Sequence, residues 1–457
     1  MSDVMASLIT SGDTLEIARY FKSDLNVKTK AEALHALKKR LLDASLGSEE
    51  EQLSWLKALF CVSPLMDTDI SADEVIRLFS FLHTELYPEI WGSFPQDLLV
   101  TFLSDVELTL KHISELIQPS TQQHDSLLHL QGKILSQLGY DLTLTNKRNL
   151  AREKLTDSLD IMKNLVSKEP TNTGYNRTLS ILFENFGNLE VHLSYFLASA
   201  CYQDSSKIRE KLVEMDPDNI GFILLLADSY FQIGDVEDMI EQTYEKSTCD
   251  VYFSDGIEHH IEVITADEWF RRGYLLCKKL IAMKPEDCRC QRALSRAYER
   301  IGDRRLNKYP AKALRWYLKA HIIKKKHLDN DSNSRVKLDD YWRCCNRLIR
   351  AFEETENMPQ AIFWCYECLE LAERLYAMDQ TNFSSRFILA VACLNLAQEL
   401  EKSYPGKARE LYIRSNSILQ SMNIKGLFSR YYLEVMNLAH NGLERIKSAD
   451  SEDSGGH

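Results

Sequence analysis

Hydrophobic and polar positions along most of the chain follow the spacing of an α-helix. Near the N-terminus, Leu34, Leu37, Leu41 and Leu42 lie three or four residues apart, which places them on one helix face. The same spacing recurs between loop signals from residue 122 onward. It predicts helix pairs near 123–168, 171–215, 218–284, 286–329, 333–378 and 381–421, followed by a closing helix near 427–446.

An alanine recurs at nearly constant intervals in this part of the chain. The intervals are 47, 68, 47, 48 and 47 residues, and the long one is a 47-residue period with a 21-residue insertion at about 235–265. The repeated residues are Ala151, Ala198, Ala266, Ala313, Ala361 and Ala408. A fixed period of this length predicts a repeat protein in which each unit is a pair of helices.

Two further positions keep step with these alanines and share their helix face. Four residues later the side chain is large in all units but one: Leu155, Tyr202, Phe270, Tyr317, Cys365 and Tyr412. Seven residues later it is small: Ser158, Ser205, Gly273, Ala320, Cys368 and Ser415. A small residue beside a large one predicts that two helix backbones approach closely there.

Loop signals separate the helices. Nineteen residues after the alanine, the first complete units have a proline, which stops a helix: Pro170, Pro217 and Pro285. Seventeen residues later comes a glycine followed by Asp or Asn, which predicts a helix end in the left-handed backbone conformation: Gly187, Gly234 and Gly302.

This order of residues resembles the tetratricopeptide-repeat (TPR) superfamily over roughly residues 122–446. The family period is 34 residues, so each helix here is about two turns longer, and the tyrosine that usually follows the family's glycine is absent. The resemblance implies an all-α fold, a right-handed α-solenoid of antiparallel helix pairs, with protein binding as its usual function. The carboxylate clamp of some chaperone-binding members has no residue-by-residue match here.

The repeat divides the chain into three predicted regions. Residues 1–120 are helical but out of register, with candidate helices at 13–22, 30–45, 49–61, 71–86 and 95–117, and form an N-terminal cap or docking domain. Residues 121–447 form the solenoid. Residues 448–457 are polar and acidic, which predicts a disordered tail.

Composition narrows the class of function. The 457 residues carry a net charge of −12, which disfavours a general binder of nucleic acid or anionic membranes. No apolar stretch is long enough to span a bilayer and no signal peptide is recognisable. The eleven cysteines are scattered and odd in number, which favours free thiols and a cytoplasmic location.

Motifs for catalysis or cofactor binding are missing from the sequence. There is no phosphate-binding loop, dinucleotide fingerprint, nucleophile elbow or HExxH motif, so we predict a non-enzyme with no cofactor. Four cysteines could hold zinc, but two of them occupy packing positions of the repeat, and we favour a packing role: Cys344, Cys345, Cys365 and Cys368.

The insertion offers other ligand types in Glu258, His259, His260 and Glu262. Adjacent histidines point in different directions on a regular element, so a solvated loop is the favoured interpretation and no metal site is predicted. Its length in an otherwise strict period still marks a place where function could be added.

Charge placement gives the strongest functional signal. Residues 289–326 contain 13 Lys and Arg against 2 acids, directly after a segment, 204–268, with 4 bases against 17 acids. Family geometry places part of the basic block in the groove of the solenoid, where arginine would bind carboxylate or phosphate. The predicted groove residues are Arg289, Arg292, Arg296, Lys337, Arg343 and Arg347.

These observations leave several interpretations open. The leading one is a non-catalytic scaffold or adaptor that binds an acidic peptide or partner segment in the groove. The alternatives are an RNA- or nucleotide-binding sensor and a regulatory subunit whose residues 1–120 act on a separate enzyme. The basic strip could also be a solvated face neutralised by the neighbouring acidic segment, or a surface for self-association.

Overall fold

The computed structural model describes residues 96–116, 121–243, 251–254, 257–260, 264–380, 382–422 and 429–454. The candidate helices at 13–22, 30–45, 49–61 and 71–86 therefore lie outside the described residues. Contacts divide the chain into two compact units, residues 1–189 and 190–457.

The described residues form fourteen α-helices and one pair of β-strands. In the first unit the helices are α1 (Gln96–Leu116), α2 (Gln122–Leu144), α3 (Arg148–Lys168) and α4 (Thr173–Glu190), the last ending at the boundary. The second unit begins with α5 (Tyr195–Met215), α6 (Ile220–Thr243), β1 (Val251–Ser254), β2 (Ile257–His260) and α7 (Ala266–Met283). It continues with α8 (Cys288–Leu306), α9 (Pro310–Asn330), α10 (Arg335–Glu354), α11 (Met358–Met378), α12 (Phe383–Leu400), α13 (Pro405–Gln420) and α14 (Ser429–Ser454).

Each helix from α5 to α14 packs against the next one along the chain. The connections between helices are short apart from the insertion, so consecutive helices run antiparallel. In the first unit, α2 packs against α1 and α3, and Asn185 on α4 donates to Ser136 on α2. The predicted all-α fold and the predicted helix pairs within each unit are confirmed. None of the described helices combines the length and apolar composition needed to cross a bilayer.

The repeat alanines lie at the closest helix contacts, as the sequence predicts. All six are fully buried. The small residue seven positions later also borders a neighbouring backbone: Ser158 Oγ donates to the carbonyl of Gly132 at 2.7 Å, and Ser415 Oγ to that of Ala390 at 2.8 Å. Because a hydroxyl reaches a main-chain carbonyl of the preceding helix, the backbones must be close at this position.

The prediction that glycines end helices in the left-handed conformation is wrong for Gly234 and Gly302. Both lie inside helices that continue to Thr243 and Leu306. Their role is to make room for the large repeat residue of the next helix. A Cβ on Gly302 would lie 2.4 Å from the ring of Tyr317, and one on Gly234 would lie 3.0 Å from Phe270.

The predicted loop in the insertion is also wrong in part. Residues 251–254 and 257–260 form two antiparallel strands, with Val251 opposite His260 and Ser254 opposite Ile257. A β-branched residue followed by two aromatics favours a strand, and the Asp-Gly dipeptide between the strands is typical of a tight hairpin. These local signals specify strand pairing despite the helical surroundings.

The closing helix also differs from the prediction. It runs to Ser454 rather than ending near 446, and so takes in most of the segment predicted to be a disordered acidic tail. Alanine and several charged residues there are compatible with continuing a helix that is already formed.

Candidate functional site

The six predicted groove residues lie on two helices that contact each other. Arg289, Arg292 and Arg296 are on α8, and the other three are on α10. We call these six residues the basic strip: Arg289, Arg292, Arg296, Lys337, Arg343 and Arg347. The structure therefore brings the two halves of the predicted site together, and the neighbours of each side chain determine what it can bind.

Three members of the basic strip pair with a carboxylate nearby in the sequence. These pairs are exposed or half-buried on the surface. They join Arg289 to Asp287 at 2.8 Å, Lys337 to Asp331 at 3.0 Å and Arg343 to Asp339 at 3.0 Å. The hydrogen bonds from Arg289 lower the pKa of Asp287 to about 2. Surface pairs of this kind contribute little to stability, because water and salt screen the two charges.

Arg347 makes stronger contacts that join three helices. Its Nε and Nη2 donate to both carboxylate oxygens of Asp303 on α8 at 2.9–3.1 Å. The hydroxyl of Tyr317 on α9 donates to the same carboxylate at 2.8 Å. Burial lowers the pKa of Arg347, but Asp303 and Glu299 outweigh burial and raise it. Arg347 is therefore held in a fixed ion pair.

The same arrangement recurs about one hundred residues along the chain, which shows that it belongs to the repeat. Tyr412 donates to Glu401 at 2.5 Å, and Arg445 donates to both oxygens of Glu401 at 2.8 Å. In both copies the arginine lies 44 residues after the acid. A contact that repeats with the helix pairs is a structural contact between repeats.

A buried ion pair lies next to Arg347. Lys324 on α9 is 2.7 Å from Glu299 on α8, and their side chains are 5% and 6% exposed. Lys324 also donates to the carbonyl of Asp340, and Arg347 lies 3.8 Å from the Glu299 carboxylate. Two cations thus face Glu299, and this buried charge is satisfied within the fold.

The acidic segment neutralises the other end of α8. Arg300 pairs with Asp235, and Arg304 pairs with Asp238 and, at 2.5 Å, with Glu241 on α6. Arg292 instead pairs with an acid that comes later in the chain: it lies 2.6 Å from Asp340 on α10. The sequence interpretation of a basic face neutralised by the neighbouring acidic segment therefore describes Arg300 and Arg304, whereas Arg292 pairs with an acid outside that segment.

Arg296 is the exception on this surface. It is exposed, and within the described residues it makes no ion pair and no hydrogen bond through its side chain. Its place in the repeat predicts it as a groove residue. The pairing of its neighbours cannot be predicted in this way, because the partners of Arg292 and Arg347 lie 48 and 44 residues away and depend on how the helices are rotated.

The four clustered cysteines are buried in the core between α10 and α11. Burial raises the pKa of Cys344, Cys365 and Cys368, which disfavours the thiolate form that zinc requires. Cys344 and Cys368 contact main-chain carbonyls at 3.9 Å. Among the described residues no group of three or more His, Cys, Asp or Glu side chains could hold a metal ion.

Comparison with known proteins adds similarity of shape. No protein-family profile and no curated protein sequence matches the chain. The solved structures to which it is similar include a thermophilic TPR protein of Thermus thermophilus, the nuclear import adaptor Nro1 of S. pombe and a Rap protein complexed with Competence and Sporulation Factor.

Their sequence identities to this chain are 12%, 11% and 12%, with TM-scores of 0.30, 0.39 and 0.36. The matches cover 57%, 68% and 89% of this chain and 99% of each of those chains. Likenesses at this level carry no argument about function, which has to come from the surfaces of this chain.

Proposed function

We propose that the protein is a non-catalytic protein-interaction scaffold that binds an acidic segment of a partner at the basic strip. The observation that supports this most directly is Arg296, an exposed guanidinium with no carboxylate partner among the described residues. Guanidinium binds a carboxylate through two parallel hydrogen bonds, so Arg296 is suited to an Asp or Glu of a partner.

The neighbouring pairs divide the strip into residues that bind and residues that hold the fold. Arg289 and Arg343 are exposed and paired locally, so a partner carboxylate can replace Asp287 or Asp339 at little cost. Arg292 and Arg347 join α8 to α10, and their loss would weaken the scaffold itself. The proposed binding residues are therefore Arg296, Arg289 and Arg343.

The chemistry of this region suits binding better than catalysis. Its carboxylates are paired with cations, and the nearby thiols have raised pKa values because they are buried. A nucleophile or general base needs an accessible side chain with a pKa tuned for proton transfer.

The test is affinity capture from source cells with three forms of the full chain: wild type, Arg296→Glu and a control, Lys402→Glu. Lys402 is exposed and lies outside the strip. Both substitutions change the net charge equally and should leave thermal melting unchanged, since exposed side chains contribute within about 0.5 kcal/mol. We expect a protein partner that the wild type and Lys402→Glu retain and Arg296→Glu loses.

The same experiment separates this proposal from RNA binding. Co-purified RNA, detected as excess ultraviolet absorbance and lost with Arg296→Glu, would replace the proposal with the sensor hypothesis. A partner retained equally by all three forms would show that the strip is a solvated face. A double substitution that included Arg292 would be a poorer test, because it would place a glutamate beside Asp340.

A further inference from the structure

A second surface of the molecule combines exposed apolar side chains with unpaired positive charge. Its apolar side chains on α9 are Leu318, which is 38% exposed, and Ile322, which is 66% exposed and lies one turn further along the helix. Arg315 lies about one turn before Leu318 and Lys319 directly follows Leu318, and both are also exposed. Together with Leu275 on α7 we call these residues the α9 surface.

The repeat extends this surface across neighbouring helix pairs. Ile322 and Leu275 both lie nine residues after a repeat alanine, so they occupy equivalent places on α9 and α7. Leu318 lies five residues after its alanine, as do Tyr366 on α11 and Ile413 on α13, and all three are exposed. Large apolar residues at equivalent exposed positions form a ridge across successive repeats, a pattern typical of an interaction surface.

The charges of the α9 surface differ from those of α8 in having no acidic partners. No Asp or Glu occurs between residues 304 and 328, and within the described part of the chain Arg315 and Lys319 make no ion pair. Lys319 instead lies 4.3 Å from the ring centre of Trp316 and 5.6 Å from that of Tyr298. Most cations of α8 are neutralised inside the protein, whereas these remain available to a partner.

We propose that the α9 surface docks an acidic amphipathic helix of a partner protein. The partner's leucines or similar residues would cover Leu318, Ile322 and Leu275. Its acidic side chains would pair with Arg315 and Lys319. Apolar positions four residues apart on the surface match the spacing of anchors on one face of a helix, and the unpaired cations supply the charge complementarity.

Two other classes of partner fit this surface less well. Nucleic acid would use Arg315 and Lys319 but would leave Leu318 and Ile322 exposed to water, since it is bound mainly through phosphates and stacked bases. An anionic membrane would have to approach a chain whose net charge is −12, and its surface field would repel the acidic segment at 204–268. Both are included in the test.

The experiment uses the full chain and a defined probe. The probe is a fluorescein-labelled synthetic helix of Leu, Ala and Glu with its leucines on one face, and a peptide of the same composition in scrambled order is the comparison. Binding is measured by fluorescence anisotropy for wild type, Arg315→Glu/Lys319→Glu and Leu318→Ser/Ile322→Ser. The control is Lys402→Glu/Lys407→Glu, which makes the same charge change at two exposed lysines near the start of α13.

We expect the amphipathic peptide to bind wild type and the control equally, and both α9 double variants to weaken binding by about tenfold or more. Arg296→Glu should leave this binding unchanged, so failure here is distinguishable from failure of the basic strip. Equal binding of the scrambled peptide, or unchanged binding by the α9 variants, would overturn the proposal. So would tighter binding of single-stranded RNA or of phosphatidylserine vesicles that is lost in the charge variant.

Discussion

The tyrosine at the large repeat position has two contacts that together explain why it is a tyrosine. In α9 the ring of Tyr317 packs against the backbone at Gly302, while its hydroxyl donates to Asp303. In α13 the ring of Tyr412 packs against Gly442, and its hydroxyl donates to Glu401. The ring fills the gap beside a glycine, and the hydroxyl orients a carboxylate toward an arginine of another helix. Packing and ion pairing are thus joined at single residues.

Replacing Arg347 by methionine should destabilise the protein. The substitution keeps much of the side-chain volume but leaves Asp303 without its bidentate partner and removes one of the two cations that face the buried Glu299. Loss of a hydrogen-bonded charge partner costs about 2 kcal/mol. We expect urea unfolding, followed by circular dichroism, to show a decrease of this size in the free energy of unfolding.

The matched control is Arg296→Met, which removes the same group from an exposed and unpaired position on the neighbouring helix. Its effect should stay within about 0.5 kcal/mol. Equal losses in the two variants would mean that the ion pair of Arg347 contributes nothing beyond an ordinary surface arginine.

Two carboxyl groups face each other between the helices α10 and α12, and their protonation should make the stability of the protein depend on pH. Glu353 and Glu399 lie close enough for each to influence the pKa of the other, and one carboxylate oxygen of Glu399 is buried without a hydrogen-bond partner. Burial, followed by the charge of Glu353, raises the pKa of Glu399 to about 7. Because the unfolded chain would release this proton near the ordinary glutamate pKa, the folded state holds an extra proton between those two values.

The pH dependence of this pair has a definite sign. A carboxyl with a raised pKa stabilises the folded protein less as pH rises from its unfolded value toward about 7. Glu399→Gln keeps a neutral side chain at every pH. We therefore expect the variant to melt close to wild type at about pH 5 and above it at about pH 8, by differential scanning fluorimetry.

A substitution of an exposed glutamate on α13, Glu410→Gln, serves as the comparison because Glu410 shifts the pKa of neither member of the pair. Its melting temperature should differ from wild type by the same amount at both pH values. If Glu399→Gln behaves in the same way, the pKa of Glu399 is not raised in the folded protein.

Apart from the end of α14, helices were predictable from the sequence to within a few residues because their signals are local and periodic. The repeat alanines, the small residue seven positions later and the prolines fix where helices begin, pack and end. The role of Gly302 could not be predicted, since the IleGlyAsp sequence is compatible both with a helix end and with a close contact inside a helix. Distinguishing them requires knowing that Tyr317 of the next helix lies over that backbone.

The position of the basic strip could be predicted from the sequence, but which of its side chains are free to bind a partner could not. Residue type and repeat position place Arg292, Arg296 and Arg347 on the surface of α8 and α10. Whether each is free depends on acids that are distant in sequence, at Asp340 and Asp303, and on the relative rotation of three helices. Charge counts over a segment cannot supply that rotation.

Over the unit formed by residues 190–457, the buried core is divided unevenly. From Leu306 to Ile446 the buried apolar residues form one continuous cluster that spans α8 to α14. Among the described residues between Ala198 and Ala297 they form smaller, separate clusters. Part-exposed ion pairs such as Arg304 with Asp238 join α6 to α8 there. In a solenoid, stability is close to a sum over units and the interfaces between them, so opening should be easier where the core is divided.

Hydrogen exchange followed by mass spectrometry should show this division. We expect amides of α9–α13 to exchange together and at least about tenfold more slowly than those of α5–α7. Ala361, fully buried in α11, provides the decisive variant, because Ala361→Leu overpacks a close helix contact at a cost of about 1–3 kcal/mol. If the large cluster is one cooperative unit, protection should fall throughout α9–α13 and stay unchanged in α5–α7. Loss of protection confined to α11 and its two neighbours would instead mean that each helix pair opens independently.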